Sequence, residues 1–481
     1  TGLEVLRAGQ GGKGRPRRKE VCFCSAHRRL VLYGSVGSVV SDSLPSMLKT
    51  QFHLGSCALL ISAALGEITG GVPNLVTATS RAGQYVFFPQ TLRWVSDSQP
   101  SSLLMSYQSD ADGLHDDGWT GGLMGSTDGG SSWSVVPQPL SPDLVKSCLV
   151  LNSTAIKCFE YPLTTLKNAT SGAVTGYAYG AHVYSSGGGS APFVQSSVSS
   201  SPVRFPKGKE PRAWGNHTSL MVSDGKVIEL RGGGGHLMLL YGNYATDVGP
   251  KTSIVAVKSV DDGASWDWLS TVSPPAAKPC DLPSEHDCVR LGDGITIFCV
   301  WRSEETNLCS SRSSDEGVTW GTARPLSLTS AMSGGEGAGD PIPTAPSGVE
   351  PKIALLDNGM LVISSGRPGL YVWAGKDPSV GESGQPSGAA STGDIKWQGF
   401  NLAAHHNAAY PDPAMHYPSD RPGGACPGGT TSYTGMVVVP GENAVLVSYD
   451  RLANGWNPAR WPPVHAGDVS GLFTVRLNVT V

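Results

Sequence analysis

Charge is scarce in this chain of 481 residues: Asp, Glu, Lys and Arg make up 15% of it, and the formal net charge is −4. A balance so near neutral gives no electrostatic case for nucleic acid or an anionic membrane surface, because both are met by a basic stripe. No segment sustains the apolar stripe of a helix, and no apolar run is long enough to span a bilayer. Glycine and proline, by contrast, are abundant at 62 and 35. Short apolar runs between Gly-rich turns suit a sandwich, a barrel or a propeller, architectures that run long as one domain.

Residues 1–46 carry a basic cluster (Lys13, Arg15, Arg17, Arg18 and Lys19) without hydrophobic periodicity, as a disordered or non-native leader does. Residues 47–66 differ. Met47 and Lys49 precede a mostly apolar run from Leu54 to Leu65, closed by Ala64-Leu65-Gly66. A short positive start, a short apolar stretch and small residues at its end predict a secretory signal peptide, with the mature protein beginning near Glu67. The expected location is extracellular or lumenal, with no membrane span in the mature chain.

Four Asn-x-Ser/Thr sequons, at Asn152, Asn168, Asn216 and Asn478, agree with export. The cysteines beyond residue 66 are Cys148, Cys158, Cys280, Cys288, Cys299, Cys309 and Cys426. Cys148 and Cys158 are ten apart (158−148), as are Cys299 and Cys309 (309−299). Facing residues of a hairpin can have that separation, so both pairs are candidate disulfides, although spacing does not fix connectivity. Cys426, in a Pro/Gly loop, is the candidate for the odd one out.

One octamer recurs three times. It reads Ser126-Thr-Asp128-Gly-Gly130-Ser-Ser132-Trp133, Ser259-Val-Asp261-Asp-Gly263-Ala-Ser265-Trp266 and Ser313-Ser-Asp315-Glu-Gly317-Val-Thr319-Trp320. In such a turn the Asp accepts backbone N–H groups, the Gly supplies positive φ and the Trp anchors the turn in an apolar layer. The second and third copies are 54 apart (315−261), about one propeller blade, and the first two are 133 apart (261−128). Strand-rich segments fall into six groups: 85–136, 149–184, 219–269, 289–320, 353–399 and 431–481. The expectation is an all-β, six-bladed propeller over residues 67–481. Between Asp377 and Gly429 lies a Gly/Pro/His-rich stretch that reads as a surface loop.

A second repeat concerns chemistry. Glu285 precedes Arg302 by 17 (302−285) and Glu350 precedes Arg367 by 17 (367−350). Both segments run Glu, strand, Asp-Gly or Asn-Gly turn, strand, Arg. This spacing predicts that both arginines end a second strand and point toward one axial pocket.

From residue 85 to 481 the chain resembles the exo-sialidase (neuraminidase) superfamily of six-bladed Asp-box propellers. The resemblance rests on the octamers, on Glu285-HDCVRLGDGITIFCVWRS-Glu304 and on Thr430-Thr-Ser-Tyr433-Thr-Gly-Met-Val. It implies a secreted exo-acting glycoside hydrolase that takes a terminal sialic acid or related acidic sugar from glycans, with retention, as a monomer without cofactor or metal. It further implies Tyr433 as nucleophile, Glu285 as its base, and Arg302 and Arg367 as grips on the substrate carboxylate. Glu350, in the equivalent repeat position, competes with Glu285.

The first blade departs from the family. Its Arg-x-Pro element reads Phe87-Phe88-Pro89 here, with Phe87 where an arginine is expected and Arg93 displaced by six (93−87). Asp110 and Asp112, in the Asp-rich loop after the strand Leu103–Tyr107, are both candidates for the acid/base, although Asp-x-Asp-Gly is also a good turn. The alternative reading is a catalytically inactive propeller that binds glycans or proteins, since fold alone does not carry function. His405, His406 and His416 match no metal-ligand spacing and read as a polar loop. Gly232–Gly235 lacks the Lys-Ser/Thr of a phosphate loop and reads as a close backbone approach or a turn.

Overall fold

The computed structural model describes residues 67–79, 86–89, 92–94, 102–109, 121–137, 144–152, 154–186, 193–222, 225–249, 252–303, 308–328, 348–366, 369–380, 395–417, 431–452 and 470–481. All of them belong to one compact unit, Ser62–Pro422 with Pro427–Val481. The leader, the signal peptide, Asp110, Asp112, Arg367 and Cys426 lie outside the described residues.

The chain opens with β1 (Ile68–Gly70) and β2 (Asn74–Thr79). A four-stranded sheet follows, made of β3 (Leu92–Trp94), β4 (Leu103–Gln108), β5 (Gly121–Ser126) and β6 (Ser134–Val135). Next come β7 (Val145–Asn152), β8 (Ala155–Glu160), β9 (Pro162–Lys167), β10 (Val174–Ser186) and β11 (Phe193–Arg204). They share one eleven-stranded sheet with β12 (Ala213–Trp214), β13 (His217–Val222), β14 (Ile228–Glu229), β15 (His236–Gly242), β16 (Ser253–Ser259) and β17 (Trp266–Ser273). A further sheet holds β18 (Pro283–Arg290), β19 (Ile297–Ser303), β20 (Cys309–Ser313) and β21 (Arg324–Pro325). Another holds β22 (Val349–Leu355), β23 (Met360–Gly366), β24 (Leu370–Lys376) and β25 (Gln398–Asn401), which leads into helix α1 (Leu402–Ala409). The last sheet joins β26 (Thr434–Val438), β27 (Ala444–Arg451) and β28 (Ser470–Val479) to β1 and β2.

The strands thus form an all-β, propeller-like arrangement of five sheets among the described residues, where the segment pattern predicts six. The second and third segments merge because β13 pairs with β9, with His217 opposite Thr164 and Met221 opposite Pro162. The last sheet differs from expectation in the opposite direction. It recruits β1 and β2 from the other end of the chain onto β28, with Ile68 opposite Val479 and Leu75 opposite Phe473.

Among the described residues, six large apolar cores lie between the strands in cyclic order. Leu104 and Leu123 meet Ile156 and Phe193; Phe159 and Tyr179 meet Val255 and Trp266 within the eleven-stranded sheet; Leu237 and Ile254 meet Ile297 and Trp301. Phe298 and Val300 meet Ile353 and Leu361; Val362 and Val372 meet Val447 and Val475; and Leu103 and Met105 meet Leu446 and Leu472, closing the ring. Trp266, Trp301 and Trp373 are fully buried, and removing each from water contributes about 4–6 kcal/mol before conformational entropy is set against it.

Each octamer forms the same turn. In the third, Thr319 donates from its N–H and its hydroxyl to Asp315 (2.9 and 2.6 Å), and Gly317 N–H donates to the Ser313 hydroxyl at 2.9 Å. The equivalent bonds recur around Asp128 and Asp261. The octamer glycines Gly130, Gly263 and Gly317 have φ of 90°, 69° and 85°, the left-handed region that favours glycine. Their carbonyls accept side chains from other strands: Asn74 of β2 reaches Gly130 at 3.3 Å, Ser201 of β11 reaches Gly263 at 2.8 Å, and Ser270 of β17 reaches Gly317 at 2.6 Å. The octamers therefore fasten neighbouring strands of different hairpins as well as making turns.

Two local expectations change. The stretch read as a loop after Asp377 contains β25 and α1, and His406 is buried there, its Nδ1 2.7 Å from the Tyr449 hydroxyl and its Nε2 2.9 Å from the Met415 carbonyl. The Cys299–Cys309 pair is replaced by Cys288–Cys299 and Cys280–Cys309, while Cys148–Cys158 forms as spaced. Register is the reason: Cys299 lies opposite Cys288 across β18 and β19, whereas on β20 it faces Ser311 and Cys309 faces Trp301. At Gly235 (φ 94°) an added Cβ would overlap the Ser259 carbonyl, so this glycine run does serve close backbone approach. No helix of the described residues is long and apolar enough to cross a membrane.

Candidate active site

Strand β18 lies beside β22, β22 beside β26, and β26 beside β3. Their N-terminal ends gather Glu285 on β18, Glu350 on β22, Tyr433 before β26 and Phe88 before β3. β19 runs antiparallel to β18, so its C-terminal end brings Arg302 to the same place.

Tyr433 and Glu285 meet directly. The phenol donates to Glu285 Oε1. Arg302 Nη1 donates to both oxygens of the same carboxylate at 3.2 Å, and the backbone N–H of Glu350 donates to Oε2 at 3.1 Å. The Glu285 side chain is 10% exposed and that of Arg302 27%, so the ion pair is mostly withdrawn from solvent screening. Glu350, the competing base, is buried, and its carboxylate pairs with Lys352 at 2.9 Å. It is the Glu285 carboxylate that receives the Tyr433 hydroxyl.

The backbone around the site is forced. Six non-glycine residues among those described have positive φ, and two of them, Asp262 and Glu316, sit within octamers. The other four are Phe88, Leu282, Glu350 and Ser432, each a site residue or within three positions of one. Such conformations cost about 1–3 kcal/mol each and cluster where a fold must aim a side chain. β18 also carries a bulge between Pro283 and His286, and β22 one between Val349 and Lys352; bulges re-aim side chains in the same way.

The repeated Glu-to-Arg spacing does not give equal register. Arg290 pairs with Ile297 across the first turn and Leu355 with Leu361 across the second, so the first turn is one residue longer. Glu285 and Glu350 correspond, but the residue matching Arg302 is Gly366, one position before Arg367.

The aromatic wall beside Glu285 was not legible in the sequence. Tyr161 and Tyr241 share a hydroxyl–hydroxyl hydrogen bond of 2.6 Å, and the Lys146 ammonium lies 4.4 Å from the Tyr161 ring centre. Burial, then the neighbouring Tyr241, pushes the Tyr161 phenol well above its ordinary range, so it stays protonated. Tyr241 stands edge-on to His286, centroids 6.1 Å apart, and burial holds His286 neutral with a pKa lowered to about 4. Phe87 is buried at 2% exposure, and the next residue, Phe88, sets its ring edge-on to Tyr433 at 4.6 Å.

No family model matches the chain, and no curated protein matches it. Among solved structures, a protein of unknown function from Dyadobacter fermentans is similar over 86% of this chain and 99% of its own, with 16% identity and a TM-score of 0.52. A Trypanosoma rangeli sialidase in complex with sialic acid is similar over 85% of this chain and 58% of its own, with 12% identity and a TM-score of 0.47. A variant of the NanB sialidase from Streptococcus pneumoniae is similar over 85% and 70%, with 13% identity and a TM-score of 0.47. The chain spans less than two thirds of the trypanosomal protein. What the first of these similarities shows is the fold.

Proposed function

We propose that this protein is a secreted exo-acting glycoside hydrolase of the sialidase type, releasing a terminal sialic acid or related acidic sugar with retention. The observation that carries the reading is the Tyr433 phenol held on a carboxylate that also binds Arg302. A sugar with a carboxylate beside its anomeric carbon repels an anionic nucleophile, whereas a phenol stays neutral until its proton passes to Glu285 during attack. Attack forms the bond from the Tyr433 oxygen to the anomeric carbon and breaks the bond to the aglycone oxygen, which takes a proton from Asp110 or Asp112. Water then attacks the anomeric carbon, giving a proton to the same Asp carboxylate and displacing the phenolate, which recovers its proton from Glu285, and the second inversion restores the configuration. Arg302 and Arg367 are assigned to the substrate carboxylate. A six-bladed count is supported by the six apolar cores, the eleven-stranded sheet contributing two blades around the Phe159–Trp266 core.

The second reading, an inactive glycan- or protein-binding propeller, is favoured by buried Phe87 at the place of the first arginine. A fluorinated sialoside separates the two. A hydrolase is labelled on the peptide containing Tyr433, while label elsewhere, or none, contradicts the hydrolase assignment.

A further inference from the structure

Asp450 on β27 is fully buried, and its carboxylate joins two segments from opposite ends of the chain. Oδ2 accepts the backbone N–H of Phe88 at 3.0 Å and the hydroxyl of Thr431, while Oδ1 accepts the N–H of Thr431 at 3.2 Å. The Thr431 oxygen accepts the N–H of Tyr433 at 3.3 Å. Both arms thus end on Tyr433: one through Thr431 to its backbone, the other through Phe88, whose ring meets the phenol ring edge-on at an interplanar angle of 82°.

A buried carboxylate is costly unless its oxygens are satisfied, and three donors from two segments satisfy this one. The two segments are themselves in unfavourable backbone conformations, with φ of 49° at Phe88 and 60° at Ser432. Non-glycine residues keep such angles only where the surroundings over-determine them. Phe88 precedes β3 of the first sheet and Tyr433 precedes β26 of the last, so Asp450 fixes the seam where the ring of sheets closes. The phenol must keep its reach to Glu285, which belongs to a different sheet.

We propose that Asp450 is the positioning residue of Tyr433. It sets the phenol's place against Glu285 by tying the Phe88 segment and the Thr431–Tyr433 segment to one carboxylate. The inference rests on the reading of Tyr433 as nucleophile, but its structural half is testable without turnover.

The test uses the full chain, with Asp450→Asn and Thr431→Val as variants. One readout is the rate at which tetranitromethane nitrates Tyr433, followed by peptide mass; the other is kcat and KM on an aryl sialoside. Asn presents an N–H where an acceptor is needed, and a nucleophile displaced by about 1 Å loses about 100-fold in rate. The expected result for Asp450→Asn is a kcat lower by about 100-fold with KM within about threefold. Tyr433 nitration is expected to rise about tenfold, equivalent to about 1.4 kcal/mol of lost local order. Thr431→Val, which cuts only the backbone arm, should move both readouts in the same direction, and it decides the matter if Asp450→Asn fails to fold. Folded variants with unchanged nitration overturn the proposal. A wild type inert toward sialosides overturns the hydrolase reading instead, and nitration still decides on Asp450.

Discussion

Tyr433 and Glu285 lie 148 positions apart and on different sheets, yet the phenol of one donates to the carboxylate of the other. A buried Tyr–Glu contact with no further purpose would leave the carboxylate to its tyrosine. Here Arg302 and the Glu350 N–H also bind it, so both of its oxygens are held in place while it receives the phenol. The carboxylate is thereby fixed within hydrogen-bond reach of the phenol, the geometry that a proton transfer between them needs.

Tyr433→Phe removes one oxygen and keeps the ring against Phe88. Turnover of an aryl sialoside should fall by at least about 1,000-fold, with binding of a sialic-acid analogue within about threefold. Steady-state kinetics and titration calorimetry check the two halves. An unchanged kcat removes Tyr433 as nucleophile.

Glu285→Gln tests the ion pair. Arg302, mostly enclosed, would lose the charge of Glu285, at a cost of about 1–3 kcal/mol in stability. Denaturant unfolding should show this loss, and the double variant with Arg302→Ala should lose less than the sum of the singles. Strict additivity would mean that the two side chains do not interact in solution.

What could be read in the sequence was local. The octamers and the hairpin turns lie in short stretches whose residues determine their own turns, whereas Glu285, Arg302 and Tyr433 were singled out by the family resemblance and the Glu-to-Arg repeat. What could not be read depends on register between strands. A turn longer by one residue separates the Arg302 position from that of Arg367, though the count of 17 is equal. Asp450 and the Tyr161–Tyr241 pair were missed because nothing near them in the chain signals their partners. The merger through β9 and β13 was missed for the same reason: a strand's pattern gives its faces and says nothing of its edges.

The disulfides give a direct test of register. Peptide mapping without reduction should yield Cys280 linked to Cys309 and Cys288 linked to Cys299, along with Cys148 to Cys158. A Cys299–Cys309 peptide would contradict the pairing of β18 with β19. Replacing Cys280 and Cys309 with Ser opens a loop of 29 residues and should cost about 3–4 kcal/mol.

Acid should act on the third octamer through Glu316. Hydrogen bonds from Arg290, opposed by burial and aided by Arg231, lower its pKa from 4.5 to about 2. A carboxylate depressed in the folded state contributes stability that is fully present above 4.5 and fades as pH falls toward 2. The melting difference between wild type and Glu316→Gln should therefore be constant near neutrality and shrink through that window. A difference independent of pH would mean that charge at Glu316 contributes nothing.

Ser270→Ala separates the octamer as a turn from the octamer as a fastener. The Ser270 hydroxyl donates to Gly317 O at 2.6 Å and accepts from Trp320 Nε1 at 3.1 Å, joining β17 to the turn between β20 and β21. The turn's own bonds to Asp315 do not involve it. If the octamer were only a turn, Ser270→Ala would be nearly silent and Asp315→Ala would carry all of the loss. If it fastens two sheets, Ser270→Ala should cost about 0.5–1.5 kcal/mol, because the Gly317 carbonyl and Trp320 Nε1 lose the hydroxyl between the sheets and keep only each other, at 3.1 Å, while the turn stays formed. Ser201→Ala should behave alike, since Ser201 reaches Gly263 from β11 in the same way. Hydrogen exchange at Thr319 supplies the control, because its N–H donates to the Asp315 carboxylate, and protection there should persist in Ser270→Ala and vanish in Asp315→Ala.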